Sequence, residues 1–206
     1  NWDFNLGLFY TTTSDYPRYD RLIRERNGQL RSAVWDYTPQ EWINGNLMIT
    51  NKGTSFYDKS ILTLSYQNFK EGRKDRNFGD DVLYETKEKV GAYTSAFDFI
   101  KKFGKSKLFY GLEYVYNKVN SNGKQTNINN GDTVLTASRY PEGSTWQSMA
   151  AYFSLQSKLA ENLSFQAGLR YNHILLFANF DTLFYDFPFT RAAINTGALT
   201  GSAGIN

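Results

Sequence analysis

The stretch that decides the fold runs from Leu163 to Asn172 and reads Leu-Ser-Phe-Gln-Ala-Gly-Leu-Arg-Tyr-Asn. Apolar and polar residues alternate along it, so a β-strand would present one kind of side chain on each face. The polar face carries Gln166, Gly168 and Arg170, which suits contact with water rather than burial in a protein core. A strand of about 9–11 residues with one apolar and one polar face is the unit of a transmembrane β-barrel.

The same alternation recurs along the whole chain. We predict strands near residues 2–10, 43–50, 62–67, 93–99, 108–117, 148–156, 163–172 and 199–205. Long polar connections at 11–41, 70–77, 120–145 and 177–195 alternate with short turns near 51–55, 101–106 and 160–162. After the charged loop at 70–77, the descent is mostly polar as far as Lys89. Outer-membrane barrels have short periplasmic turns and longer extracellular loops. The pattern therefore predicts an antiparallel transmembrane β-barrel with its long loops outside the cell.

Composition agrees with this fold and excludes other classes of protein. Aromatic residues make up 17% of the 206 residues, which suits β-strands and the aromatic girdles of membrane barrels. No apolar run approaches the roughly twenty residues that a transmembrane helix needs. The 23 basic and 20 acidic residues are interspersed, so nothing indicates a nucleic-acid partner. The absence of cysteine excludes a thiolate metal site, and we predict neither a metal site nor a cofactor.

Several positions on the predicted polar faces are small, which bears on the width of the barrel. They are Gly7, Ser65, Gly111, Ser154 and Gly168. Side chains fill the interior of a closed eight-stranded barrel, so this lining favours the wall of a wider barrel that holds water or a plug. Both ends of the chain fall inside alternating segments. We therefore expect residues 1–206 to form one partial barrel domain, with a plug domain and further strands elsewhere in a longer protein.

Four local sequences resemble the barrel domain of TonB-dependent outer-membrane receptors, especially those of Bacteroidetes-type bacteria. The first is similar to a segment of the haem and haemoglobin receptor branch, and all four lie at predicted strand ends. They are Tyr16–Leu22, Tyr140–Trp146 with Met149–Tyr152, Gly168–His173, and Phe184–Phe189 with Gly197–Ser202. The resemblance implies a 22-stranded barrel closed by a plug, of which about eight strands are present here.

The resemblance also implies a function, a location and partners. Such receptors carry out energised uptake of a scarce nutrient, such as a ferric siderophore, haem or cobalamin, across the bacterial outer membrane. The expected partners are outer-membrane lipid, TonB through the missing plug domain, the nutrient or metal chelate, and a surface lipoprotein where the receptor uses one. Two alternatives from other classes are a small structural or adhesive outer-membrane barrel that binds a partner through its loops, and a soluble β-sandwich.

A membrane-embedded hydrolase is a further alternative. Hydrolysis commonly uses a serine or an aspartate paired with a histidine. The single histidine, His173, has no nearby serine and no obvious aspartate partner on its strand. We therefore predict that the protein is not an enzyme and propose no catalytic residue.

Candidate ligand-binding residues lie in the predicted loops and strand tops. Arg18, Tyr19 and Arg21 either contact a ligand or anchor their loop, with Arg18 and Arg21 paired to Asp15 and Asp20. His173 is either an axial haem ligand or an ordinary hydrogen-bonding side chain. Phe184 and Tyr185 belong to an aromatic loop that either stacks on a planar ligand or packs at the headgroup level.

Three charged residues point into the barrel lumen by strand parity. They are Asp98, Glu113 and Arg170. They either guide a substrate or hydrogen-bond a plug, although polar residues are also the default lining of a barrel interior.

Overall fold

The computed structural model describes residues 1–53 and 55–206, and nearly all of them form β-structure. The elements, in chain order, are β1 (Trp2–Thr12), β2 (Tyr16–Pro17), α1 (Tyr19–Leu22), β3 (Glu25–Arg26), β4 (Gln29–Leu30), β5 (Ser32–Lys52), β6 (Lys59–Asn77), β7 (Val82–Phe103), β8 (Ser106–Asn127), β9 (Thr133–Thr136), β10 (Thr145–Ala160), β11 (Leu163–Asn179) and β12 (Arg191–Ile205). No helix in this described part of the chain is long and apolar enough to cross a membrane.

Eight long strands form one antiparallel sheet in the order β1-β5-β6-β7-β8-β10-β11-β12. Each strand pairs with the next long strand of the chain, while β2 adds to β5 and β9 adds to β8. Among the described residues β1 and β12 are the two edges, and they do not pair with each other. The sheet is therefore an open wall, and these strands alone do not close into the small barrel of the adhesive alternative.

The register gives this wall one apolar face and one polar face. Leu112 lies opposite Phe97 and Ala151, and Phe153 lies opposite Leu169, all on the same face. Leu112, Phe153 and Leu169 are 59%, 49% and 42% exposed. A soluble sandwich would bury such side chains between two sheets. Among the described residues the only buried apolar side chains are Ala150 and Ala178, so hydrocarbon must solvate this face.

The strands extend well beyond the predicted spans. Strand β7 has 22 residues, whereas about 9–11 are enough to cross the hydrocarbon region. Much of three predicted loops is therefore strand: 32–41 belongs to β5, 70–77 to β6 and 120–127 to β8. The prediction of a loop at 70–77 is wrong, because β6 continues to Asn77 and residues 78–81 connect it to β7. The polar descent to Lys89 belongs to β7 from Val82 onward. Thr54, in the predicted turn at 51–55, lies outside the described residues.

Two regions of the sheet are distinguished below. The membrane band contains residues 2–10, 43–51, 60–66, 93–99, 110–116, 149–155, 165–171 and 197–205, whose alternate side chains are apolar and face outward. The loop-end extension contains residues 32–42, 67–77, 82–92 and 117–127, beyond the band on the side of the long connections.

Ion pairs connect the strands of the loop-end extension, where apolar and polar residues do not alternate. The ammonium of Lys70 lies 2.7 Å from Glu41 across β5 and β6. Glu85 binds Lys87 and Lys124, each at 3.1 Å, and so joins β7 to β8. Pro39, which cannot donate to a ladder, lies where the β5–β6 register shifts between Thr38 and Glu41.

Candidate ligand-binding site

Five side chains on the polar face of the sheet form a polar network, which consists of two hydrogen-bonded groups joined by a cation–π contact. The Tyr152 hydroxyl on β10 donates to the carboxylate of Asp98 on β7. The Arg170 guanidinium on β11 donates to the carboxylate of Glu113 on β8 and, at 2.9 Å, to the side-chain oxygen of Asn172. The guanidinium also lies 5.9 Å from the centre of the Tyr152 ring. The network therefore connects four neighbouring strands.

A glycine on β8 makes room for this network. Arg170 lies opposite Tyr152, Tyr152 opposite Gly111, and Gly111 opposite Asp98. A Cβ atom at Gly111 would lie 2.7 Å from the carbonyl oxygen of Phe97 and 2.9 Å from the Tyr152 hydroxyl. The tyrosine ring can reach Asp98 only because the intervening residue has no side chain.

The structure thus brings the three predicted lumen residues together, and two of them, Glu113 and Arg170, form an ion pair. Asp98, Glu113 and Arg170 all lie on the polar face, as strand parity predicts. Sequence reasoning missed Tyr152, which joins Asp98 to the rest. Tyr152 lies an even number of positions from Ser148 and Ser154 on β10, and this spacing is the signal that places it on the same polar face.

The segment that contains Arg18, Tyr19 and Arg21 is docked on β5. Tyr16 and Pro17 pair with Tyr37 and Asp36, and the Arg18 amide donates to the Trp35 carbonyl at 2.9 Å. The guanidinium groups of Arg18 and Arg21 lie 5.2 and 5.6 Å from the Trp35 ring centre. This geometry favours stacking of the loop on the sheet by cation–π contacts.

The ion pairs of this segment differ in part from the predicted anchor. Arg18 pairs with Asp20 at 2.7 Å, and its hydrogen bond lowers the pKa of the Asp20 carboxyl. Asp15 pairs with Lys74 on β6 at 2.6 Å, so the predicted pairing of Asp15 with an arginine is wrong. Tyr19 is 75% exposed, so a ligand could reach it.

A cavity of about 360 Å³ lies at the loop end of the sheet. Its walls come from the segment after β9 and from the aromatic loop between β11 and β12, including Tyr140, Phe180, Phe184, Tyr185 and Phe187. Ser121 and Gly123 also line it, and both lie on the polar-face side of β8 by register with Glu113. The cavity therefore opens toward the side of the wall that carries the polar network.

The aromatic loop is held by its own ring contacts. Phe180 lies 4.9 Å from Phe189 and 5.5 Å from Phe187, both edge-on. Phe184 and Tyr185 contribute to the cavity wall while remaining 39% and 59% exposed. Some rings of the loop therefore contact each other, while Phe184 and Tyr185 stay accessible; whether they contact a ligand stays a prediction.

Charged residues border the cavity on the segment after β9. Arg139 lies 2.9 Å from Glu71 on β6 and 5.0 Å from the ring centre of Tyr140. Glu142 accepts a hydrogen bond from the Ser121 amide. This arrangement folds the segment across the polar-face side of the extension and leaves a cation next to aromatic rings.

Glu88 on β7 is buried beside this segment, opposite Glu71 and Ser121. It is 4% exposed, and within the described part of the chain neither carboxylate oxygen has a hydrogen-bond partner. Burial raises the pKa of Glu88, although the charges of Arg139 and Arg73 act in the opposite direction. Sequence reasoning missed Glu88 because it lies in the mostly polar descent before Lys89, where no alternation indicates which side chains face inward.

His173 belongs neither to the polar network nor to the lining of the aromatic cavity. It pairs with Met149 in register with the exposed apolar residues, on the face opposite Arg170. Its Nδ1 lies 3.3 Å from the Tyr171 hydroxyl. Across residues 1–53 and 55–206, no cluster of three or more His, Cys, Asp or Glu side chains is arranged to hold a metal ion.

Comparisons with known proteins agree with this architecture. Residues 50–191 match the outer membrane protein beta-barrel family. No curated protein matches the chain.

Three solved structures share the fold. The copper transporter OprC aligns over 83% of this chain and 28% of its own, with a TM-score of 0.70 and 13% identity. The siderophore receptor PiuA from Acinetobacter baumannii aligns over 99% of this chain and 37% of its own, with a TM-score of 0.62 and 15% identity. The ferric yersiniabactin uptake receptor FyuA from Yersinia pestis aligns over 99% of this chain and 32% of its own, with a TM-score of 0.60 and 11% identity. The chain spans about a third of the length of these structures.

These matches confirm the predicted fold class, which is an antiparallel transmembrane wall of about eight strands from a larger barrel. They also support the resemblance to the barrel of TonB-dependent receptors and the location in the bacterial outer membrane.

Proposed function

Because the chain belongs to the outer membrane protein beta-barrel family, we propose that it forms part of the wall of a TonB-dependent uptake receptor. Its partners would be outer-membrane lipid, an incoming nutrient, and TonB through a plug domain encoded elsewhere in the full-length protein. Residues 1–206 would then be one partial barrel domain. A surface lipoprotein that hands over the nutrient is compatible with this function. No catalytic role is assigned.

One observation carries the proposal: an accessible aromatic cavity lies at the loop end, on the same side of the wall as the polar network. A nutrient captured by the loops would meet Phe184 and Tyr185 first. Past the loops, it would pass along a face that presents Asp98, Glu113 and Arg170. Polar groups on the inner face and apolar groups on the lipid face are what such a passage needs.

The chemistry of the cavity favours a metal chelate with a planar or aromatic portion. Aromatic rings provide stacking surfaces. The charge of Arg139 is paired with Glu71, and Glu142 and Asp181 also line the cavity, so the charges give no preference for an anionic ligand. A ferric siderophore fits this description well. Haem and cobalamin remain alternative cargoes, and His173 is not positioned beside the cavity.

The test is binding of a panel of ferric siderophores, copper chelates, haem and cobalamin to the full-length purified receptor. We expect a metal chelate to bind and the double substitution Phe184→Ala and Tyr185→Ala to weaken it about tenfold. Aromatic contacts of this kind are typical binding hot spots, each with about 1 kcal/mol or more. Titration calorimetry measures the affinity, and uptake of the same labelled chelate by cells measures transport.

Leu183→Ala is the matched control. Leu183 belongs to the same loop and is 73% exposed, but it does not line the cavity. Its substitution should leave the affinity unchanged. Equal affinity for the parent and the aromatic double variant would reject the cavity as the ligand site, and absence of uptake for the whole panel would reject the receptor function.

A further inference from the structure

A cluster of lysines lies on the outer side of the loop-end extension, directly above the membrane band. Lys70 on β6 lies opposite Lys89 on β7, and Lys118 on β8 lies opposite Gly91 on β7. These positions continue the face that carries Tyr66, Tyr93 and Tyr116 in the band. The cluster therefore faces the surrounding membrane and not the lumen.

Only one of the three lysines in this cluster is paired within the chain. Glu41 pairs with Lys70, and Glu85 pairs with Lys87 and Lys124 outside the cluster. Lys89 and Lys118 are exposed, and neither has an ion pair or a side-chain hydrogen bond to any described residue. The ammonium groups of Lys89 and Lys118 are therefore available to an anion from outside the chain.

Gly91 leaves a hollow within this cluster. Nothing lies within 4 Å of a Cβ atom placed on Gly91, which has Asn68 and Lys118 as its cross-strand neighbours. A compact anion could therefore approach the backbone between the three lysine-bearing strands. An oxyanion such as phosphate matches the two unpaired ammonium groups of Lys89 and Lys118 in charge.

An aromatic row and an apolar groove lie below the hollow. The rings of Tyr66 and Tyr93 are 4.8 Å apart, and those of Tyr93 and Tyr116 are 6.3 Å apart. Tyrosines concentrate at the level of lipid headgroups. Lys118 lies two residues beyond this row, or about 7 Å along the strand, which is within reach of a headgroup. Below the row is a groove of about 400 Å³, where Gly45 and Ser95 leave space between Leu64 and Tyr114.

We propose that the outer face of β6, β7 and β8 binds a phosphate-bearing lipid of the surrounding membrane. The headgroup phosphate lies over Gly91 between Lys70, Lys89 and Lys118, and an acyl chain occupies the groove beside Leu64. The order of cations, tyrosines and apolar groove along the strands matches the order of phosphate, interface and acyl chain in such a lipid. This site lies on the opposite face from the cavity of the proposed nutrient, so it is independent of the transported ligand.

The probe is diphosphoryl lipid A, titrated into the full-length protein in detergent, with bound lipid counted by native mass spectrometry. Lys89→Gln with Lys118→Gln should weaken binding about thirtyfold, since each lysine near an anionic lipid surface contributes roughly fivefold. Gly91→Val keeps every charge but fills the hollow, and it should also weaken binding by about tenfold if the phosphate lies there.

Lys105→Gln with Lys158→Gln is the control for general electrostatics, because it removes two charges at the other end of the sheet. Parent-like affinity of the Lys89 and Lys118 double variant would overturn the proposal, as would an equal loss in the control. Parent-like affinity of the Gly91→Val variant would overturn the position of the phosphate. Displacement of the lipid by an equal concentration of inorganic pyrophosphate would show an anion site without lipid specificity and would also overturn it.

Discussion

The membrane band and the loop-end extension share one hydrogen-bonded ladder but differ in their side chains. On β7, the outward positions of the band include Tyr93 and Phe97, whereas those of the extension are Glu85, Lys87 and Lys89. In the band, lipid solvates the outward side chains. In the extension, the outward side chains lie beyond the hydrocarbon and are largely charged, and ion pairs such as those of Glu85 connect the strands.

This difference shows that backbone pairing and side-chain periodicity are separate properties of a strand. In lipid an unpaired backbone group costs several kcal/mol, and an outward charge is expensive, so both pairing and alternation are required there. In water only the pairing persists. The strands can therefore continue through charged sequence such as residues 70–77 of β6.

The largest expected effect comes from the same substitution in the band and on β9, the short strand that pairs with β8 in the loop-end extension. Leu112 in the band and Leu135 on β9 are both exposed leucines, at 59% and 72%. Leu112→Arg should reduce the free energy of unfolding in lipid vesicles by about 2–4 kcal/mol, as expected for arginine at the bilayer midplane. Leu135→Arg should change it by less than about 0.5 kcal/mol. Denaturant titration of the full-length protein measures both, and equal losses would contradict the distinction between the two regions.

A smaller effect is expected from adding a side chain at two glycines. Gly111→Val should cost about 2 kcal/mol, because its Cβ would overlap the Phe97 carbonyl and displace Tyr152 from Asp98. Gly91→Val should change stability by less than about 0.5 kcal/mol, since its Cβ meets open space. Thermal unfolding of the two variants tests this, and a Gly111 variant as stable as the Gly91 variant would mean that the polar network does not constrain the sheet.

The smallest effect is expected from substituting two carboxylates of the extension, Glu88 and Glu85, which lie on opposite faces of β7. Burial raises the pKa of Glu88, so its contribution is favourable at low pH and is lost as the pH rises through that raised pKa. Glu88→Gln should therefore stabilise the protein by about 1 kcal/mol at neutral pH and have little effect below the ordinary glutamate pKa.

Glu85→Gln is the matched comparison. Burial also raises the pKa of Glu85, but hydrogen bonds from Lys124 and Lys87 outweigh it and lower the pKa overall. Its stabilisation is present at neutral pH and is lost as the pH falls through the lowered pKa. Glu85→Gln should therefore destabilise the protein at neutral pH but not in acid. Melting temperatures measured across pH should shift in opposite directions for the two variants, and shifts of the same sign would contradict the assigned environments.

Much of the fold could be predicted from the sequence, and less of the candidate site could. The alternation around Leu169 and Leu112 predicted the strands, their faces and the placement of Asp98, Glu113 and Arg170 on the polar side. It could not predict that Tyr152 crosses Gly111 to reach Asp98, because that contact depends on the register of three strands. The length of the hairpins was also missed, since residues 70–89 contain no alternation for periodicity to detect.

Local sequence determined where the chain crosses the membrane, because a strand in lipid must separate apolar from polar side chains at every second residue. The tertiary structure decided which residues meet across strands. The lysine cluster around Gly91, the buried Glu88 and the aromatic cavity all join residues far apart in sequence, and their proximity depends on strand register and loop packing. Neither register nor loop packing leaves a periodic signal in the chain, so only the assembled sheet reveals these groups.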